Sequence, residues 1–286
     1  MDYAIKVSDL KKSYALNNVL KGVSFSVDKG EVFAILGVNG AGKTTLLECL
    51  EGLRKYDSGK IGINGKVGVQ LQSSSIPHNM KVSEAFMLFA KWNHVKIDDN
   101  YIKKLGINSF IKKQYSQLSI GQKRRLHLAL ALLGNPDIIF LDEPTAGLDV
   151  EGRETIHKEI QNLKSQGKTI ILASHDMSEV EKLCDRIAIL KEGKVVFCGT
   201  AIELTKINKN QCILQICFSK SIDLSDINNI RIEKFNNYYN FETTNLEDAL
   251  IEIINTCRQQ NVKIKDIQIK HIELEQRFLE VVKEGL

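Results

Sequence analysis

Gly37-Val38-Asn39-Gly40-Ala41-Gly42-Lys43-Thr44 decides how this chain is read. The stretch follows an apolar run, Val32-Phe33-Ala34-Ile35-Leu36, and opens a helical pattern, TTLLECLEGL. It fits GxxxxGK[ST] in the strand–loop–helix context that a phosphate-binding loop requires. Its glycines let the backbone turn through conformations that a Cβ would forbid. Successive N–H groups then face one concavity, and the helix N-terminus adds partial positive charge, so phosphate oxygens are expected there. Lys43 is predicted to reach the β- and γ-phosphates and Thr44 to ligate Mg²⁺, with Thr45 completing the phosphate-binding stretch. Without nucleotide Lys43 is expected to face solvent. The motif alone leaves kinases, GTPases, helicases and many ATPases open.

Outward from the loop, short apolar runs recur as predicted strands: VSFSV at 23–27, VFAIL at 32–36, IIFL at 138–141, TIILA at 169–173 and IAIL at 187–190. Helical patterns lie between several of them, at 43–52, 120–134, 150–166 and 178–184. Alternating strands and helices imply an α/β fold with a largely parallel sheet, and unbroken runs such as IIFL fit strands buried on both faces. IAIL and KVVFCG, joined at Glu192-Gly193, read as a hairpin. Composition turns polar near 205–210, and a second pattern follows: strands near 212–218, 230–235, 238–243 and 263–269, with helices at 247–257 and 273–284. The expected division is 1–208 for the larger domain and 209–286 for a small α+β domain.

Of the 286 residues, 43% are hydrophobic and 26% charged, as in a globular protein with a proper core. The formal charge of +4 is small, and both signs are spread along the chain, so no nucleic-acid partner is expected. The six cysteines form no CxxC pair and have no histidine at ligand spacing, which suits reduced thiols in a cytoplasmic protein. The first residues, MDYAIKVSDLKKSY, carry charge throughout and lack a signal-peptide core. The longest apolar runs, such as LALALL at 128–133, fall far short of the roughly 20 residues of a membrane span.

IIFL runs into Asp142 and Glu143, two carboxylates at the end of a predicted buried strand. Ligand chemistry in open α/β sheets sits at such ends. Asp142 would hold Mg²⁺ through its water shell, and Glu143 would accept a proton from an attacking water. Read alone, the pair could equally cap the next helix; beside a phosphate loop the functional reading is preferred. Leu118-Ser119-Ile120-Gly121-Gln122 reads first as a capping box before an apolar helix.

LSxGQ about twenty residues before a strand ending in Asp-Glu also resembles the signature motif of ABC ATPases. The resemblance covers roughly residues 3–205 and brings six motifs in one order. It implies a P-loop NTPase with a parallel sheet core, an antiparallel β subdomain and a helical subdomain, plus the small C-terminal α+β domain. It also implies that Leu118, Ser119, Gly121 and Gln122 serve ATP held by the other subunit of a dimer. Tyr14 matches the aromatic that stacks on adenine. Gln72 matches the glutamine that contacts Mg²⁺ and senses the membrane partner, with Gln70 a weaker candidate. Asp149, in Ala146-Gly147-Leu148-Asp149, matches the loop that crosses to the partner subunit, and His175 matches the histidine that contacts the γ-phosphate. Ile120 departs from the family's small residue, and the stretch between Gln72 and Leu118 is short; neither change removes a polar group the chemistry needs.

The resemblance implies an ATPase using ATP and Mg²⁺, paired with itself or a sister subunit and with a transmembrane permease, at the cytoplasmic face of the membrane. ELEQRFLEVV at 273–282 is similar to the tail of exporter-type subunits of the drug and peptide resistance class. Phe86, Met87, Phe89 and Trp92 lie at helical spacing where a membrane partner would dock; one or two are expected to be exposed, the rest to be core. The chief rival is an ABC ATPase acting on ribosomes or DNA. Such proteins carry two motor halves or a long coiled coil, and this chain has one phosphate loop and no sustained heptads. A phosphate-loop kinase is a more distant rival, opposed by the signature and His175.

Overall fold

The computed structural model describes residues 3–15, 17–70, 76–97, 99–174, 176–206, 212–224, 231–235, 238–243, 245–271 and 274–284. The chain divides into two compact units, one up to Thr200 and one over Ala201–Glu284.

The first unit opens with a long hairpin, β1 (Tyr3–Tyr14) and β2 (Asn17–Asp28), followed by β3 (Val32–Leu36) and α1 (Lys43–Leu50). The strands β4 (Ser58–Ile63) and β5 (Val67–Val69) come next, then α2 (Val82–Trp92) and α3 (Asp99–Lys104). A 3-10 turn at Tyr115–Gln117 leads into α4 (Ile120–Ala131), β6 (Ile138–Asp142) and α5 (Val150–Ser165). The unit ends with β7 (Thr169–Ala173), α6 (Met177–Leu183), β8 (Arg186–Lys191) and β9 (Lys194–Gly199).

Two sheets result. The central one has order β5-β6-β7-β3-β8-β9, parallel except for the β8–β9 hairpin, whose turn places Glu192 and Gly193 at φ 48° and 81° as a two-residue hairpin turn favours. The other is antiparallel, with order β2-β1-β4.

Period-two alternation explains why the parallel strands read as unbroken apolar runs. Ile138 and Phe140 face the core shared with α1 and the antiparallel sheet, while Ile139 and Leu141 face the core built by α4, α5 and α6. Both faces are therefore covered, and every residue of β3 and β7 is buried. A third core joins α2, α4 and the 3-10 turn through Phe86, Phe110, Tyr115 and Leu130. On α2, Phe86 is buried and Phe89 half-buried, whereas Met87 and Trp92 are 60% and 75% exposed.

The second unit contains α7 (Ala201–Lys206), β10 (Cys212–Phe218), β11 (Arg231–Phe235), β12 (Tyr238–Thr243), α8 (Leu246–Gln259), β13 (Ile264–His271) and α9 (Leu274–Glu284). Its strands form an antiparallel sheet of order β11-β12-β10-β13. Leu214, Ile216 and Phe241 on one face pack against Ala249, Ile253 and Cys257 of α8. The break after Thr200 comes earlier than the compositional shift near 205–210, because α7 packs on α9. Among the described residues no helix is long and apolar enough to cross a membrane. Cys49, Cys184, Cys198, Cys217 and Cys257 are free thiols.

Candidate nucleotide site

The phosphate loop leaves the sheet at Leu36 and re-enters regular structure at Lys43, as the sequence predicts. Gly37 passes so close to β8 that an added Cβ would stand 2.5 Å from the Leu190 carbonyl oxygen. Gly42, the residue before α1, adopts φ 104° and offers no side chain to cap the helix. The first N–H groups of α1 are thus left for a ligand.

Lys43 differs from expectation. It lines the open cleft but is half-buried: its ammonium folds back and donates to the carbonyls of Gly37 at 2.6 Å and Val38 at 3.2 Å. Burial lowers its pKa, opposed in part by the Glu143 and Asp142 carboxylates.

A cleft of about 620 Å³ lies over this loop. Asn39, Gly40 and residues 42–45 form one wall, and Asp142 and Glu143 form another. Burial, followed by the neighbouring Glu143, raises the pKa of Asp142. Glu143 sits at φ 46°, in the left-handed region, and its N–H donates to the Ala173 carbonyl at the end of β7 at 2.9 Å. A non-glycine residue held there costs on the order of 1–3 kcal/mol, a strain that clusters at functional sites. Thr44 and Asp142, a hydroxyl and a carboxylate, converge on the cleft as hard oxygen donors, and they fit Mg²⁺ that keeps most of its shell as water and phosphate.

Sequence reasoning missed four lining residues: Asn17 and Val19 of β2, Arg124 of α4 and Ala173 of β7. Arg124 lies beyond the signature within the basic run Lys123-Arg124-Arg125, where no residue stands out by type. Its charge opposes the rise in the Asp142 pKa.

The signature does not line the cleft. Ser119 is the N-cap of α4 and makes the predicted capping box: its Oγ accepts from Gln122 N at 3.2 Å, and Gln122 Oε1 accepts from Ser119 N at 3.1 Å. Leu118 is buried, Ile120 is 57% exposed, and Leu148 Cδ2 lies 3.8 Å from where a Cβ on Gly121 would stand. The loop 146–149 therefore lies beside the signature. Asp149, exposed, caps α5 by accepting from Gly152 N at 2.9 Å.

Tyr14 is exposed beside Arg54, whose guanidinium carbon is 5.1 Å from the ring centroid, and Tyr14 does not line the cleft. Gln72 and His175 lie outside the described residues. Gln70 is buried, and its Oε1 has no hydrogen-bond partner among the described residues. A second cavity, about 530 Å³, sits between α3 and α5 and holds none of the predicted site residues.

Residues 20–146 match the ABC transporter family model. The linearmycin resistance ATP-binding protein LnrL of Bacillus subtilis (strain 168) is 28% identical over 96% of this chain and 97% of its own length. An uncharacterized ABC transporter ATP-binding protein of Methanocaldococcus jannaschii is 37% identical over 68% of this chain and 77% of its own length. Among solved structures, a dimeric bacterial ABC transporter cassette superposes with a TM-score of 0.63 at 25% identity, covering 68% of this chain and 98% of that one. A phosphate loop over an acidic strand end, in a chain with these relatives, makes this protein a member of the ABC transporter ATP-binding family, whose members hydrolyse ATP to power transport.

Proposed function

We propose that the chain is the motor subunit of an exporter, working through a separate transmembrane partner from the cytoplasmic face of the membrane. The observation that carries this reading is the separation of two surfaces on one chain. The phosphate loop, Asp142 and Glu143 share a cleft, while Ser119 and Gly121 stand outside it beside the loop that ends at Asp149. A helix N-terminus that attracts anions, set apart from the chain's own phosphate site, is suited to a nucleotide held by a second copy or a sister chain. Two chains arranged head to tail would then enclose two ATP molecules.

In that arrangement, loop N–H groups and Lys43 hold the β- and γ-phosphates, and Lys43 exchanges its bonds to Gly37 and Val38 for phosphate oxygens. Thr44, Asp142 and Gln72 would hold Mg²⁺, which neutralises phosphate charge when bound. Glu143 accepts the proton of the attacking water, His175 contacts the γ-phosphate, and Tyr14 stacks on adenine. The capped start of α4 supplies donors from across the dimer, with Asp149 beside it. Binding closes the dimer and hydrolysis reopens it.

Export is favoured by the relative named for linearmycin resistance, which spans the small C-terminal unit as well as the motor. The exposed Met87 and Trp92 on α2 form an apolar surface suited to a membrane partner. The test is purification of the tagged full chain from native membranes. A polytopic membrane protein recovered in stoichiometric amount, with ATPase activity, is expected. Recovery with ribosomes or DNA and no membrane protein would contradict the reading.

A further inference from the structure

Helix α5 buries a histidine on its inner face. His157 is 9% exposed, and its Nε2 stands 3.3 Å from Oε1 of Glu179 on α6, a carboxylate whose side chain is only 1% exposed. The approach falls short of hydrogen-bond geometry, and Oε1 has no hydrogen-bond partner among the described residues. The other oxygen, Oε2, accepts the Ser174 hydroxyl at 2.6 Å. That hydroxyl in turn accepts the Asp176 N–H at 3.1 Å. One buried carboxylate thus organises Ser174 and Asp176, the residues on either side of His175.

A carboxylate so deeply buried is costly unless it is paired, and His157 is the group within ion-pair distance of Oε1. The other charged links between α5 and α6 are of a different kind. Arg153 meets Asp176 at 3.0 Å and Lys182 meets Glu154 at 2.6 Å, both at the surface, where such pairs contribute little.

We propose that His157 is a positioning residue for ATP hydrolysis: through Glu179 it fixes Ser174 and Asp176, and so ties α5, which Asp149 caps, to the segment that carries His175. The proposal rests on the roles given above to Asp149 and His175. Docking of a second chain on the Asp149 loop would shift α5, and His157 passes that shift to the Glu179 carboxylate. From there it reaches the Ser174 hydroxyl and the Asp176 amide, with no rearrangement of the phosphate loop.

The test compares full-length wild type, His157→Leu and His157→Gln by amide hydrogen exchange without nucleotide, and by kcat and KM for ATP. Leucine removes the polar group that stands 3.3 Å from Oε1, whereas glutamine keeps one there. In His157→Leu, exchange at Asp176 and Glu179 should quicken at least about threefold. Its kcat should fall about tenfold with KM within about twofold of wild type. His157→Gln should recover at least about half of kcat and most of the protection. Wild-type exchange and kcat in His157→Leu would overturn the proposal, as would equal damage in both variants. If His157→Leu does not fold, the pair is compared in a Glu179→Gln background, where no buried charge needs a donor. Equal turnover there supports the link, and a persisting difference overturns it. Lys43→Ala serves as the control for the site itself: wild-type turnover no higher than that of Lys43→Ala would fail the ATP-site reading, while the exchange data would still judge His157.

Discussion

The Lys43 ammonium donates to the Gly37 carbonyl at 2.6 Å, so the lysine proposed to hold phosphate is tied to its own loop. Lys43→Ala should abolish ATP turnover, a loss on the order of 3 kcal/mol or more of stabilisation. The variant should still fold, destabilised by about 1 kcal/mol for the lost bonds to Gly37 and Val38. ATPase assays and urea titration read the two effects separately. Unchanged turnover would remove the phosphate loop from the mechanism.

Glu143→Gln keeps the shape of the side chain and the left-handed turn but cannot take a proton. Hydrolysis should fall by roughly 10²–10⁴ while ATP still binds. Size-exclusion chromatography with ATP should then show a trapped dimer. Wild-type hydrolysis in this variant would assign the base to another residue.

Glu51, at the end of α1, titrates far from its usual range. Burial, then the charges of Asp142 and Glu48, push its pKa up to about 7 from an ordinary 4.5. The folded state therefore binds a proton that the unfolded state has released, and stability falls as pH rises from about 4.5 to about 7. Glu51→Gln should lack that decline. Urea midpoints of the nucleotide-free proteins should match near pH 4.5. At pH 8 the variant should be more stable by about 1–2 kcal/mol, allowing for partial exposure of the side chain. Parallel pH curves would show that Glu51 ionises normally.

The legible parts of the chain are those where one local rule suffices. β3, β6 and β7 are covered on both faces, so they appear as unbroken apolar runs, and Gly37–Thr44 carries its own turn chemistry. In the second unit, β10, β12 and α8 lie where apolar periodicity places them. β1 was not legible: its Cα pairing with β2 shifts register between Val7 and Leu10, with Asp9 at φ 48°, and this breaks the alternation. Arg124 was not legible because its role depends on where α4 points, and a basic residue past a helix start suits solvent equally well. His157 was hidden for a related reason: its value comes from Glu179, 22 positions away, which no helical pattern pairs with it.

The most direct test is the ATP affinity of monomeric Ser119→Arg. Ser119 caps α4 outside the chain's own cleft, so an arginine there should block dimer closure and turnover yet leave the monomer's Kd for ATP within about twofold of wild type. Mixing it with Lys43→Ala rebuilds one complete site, and some turnover should return relative to either homodimer. A loss of monomer affinity as large as that of Lys43→Ala would place Ser119 in the chain's own site and contradict the head-to-tail arrangement.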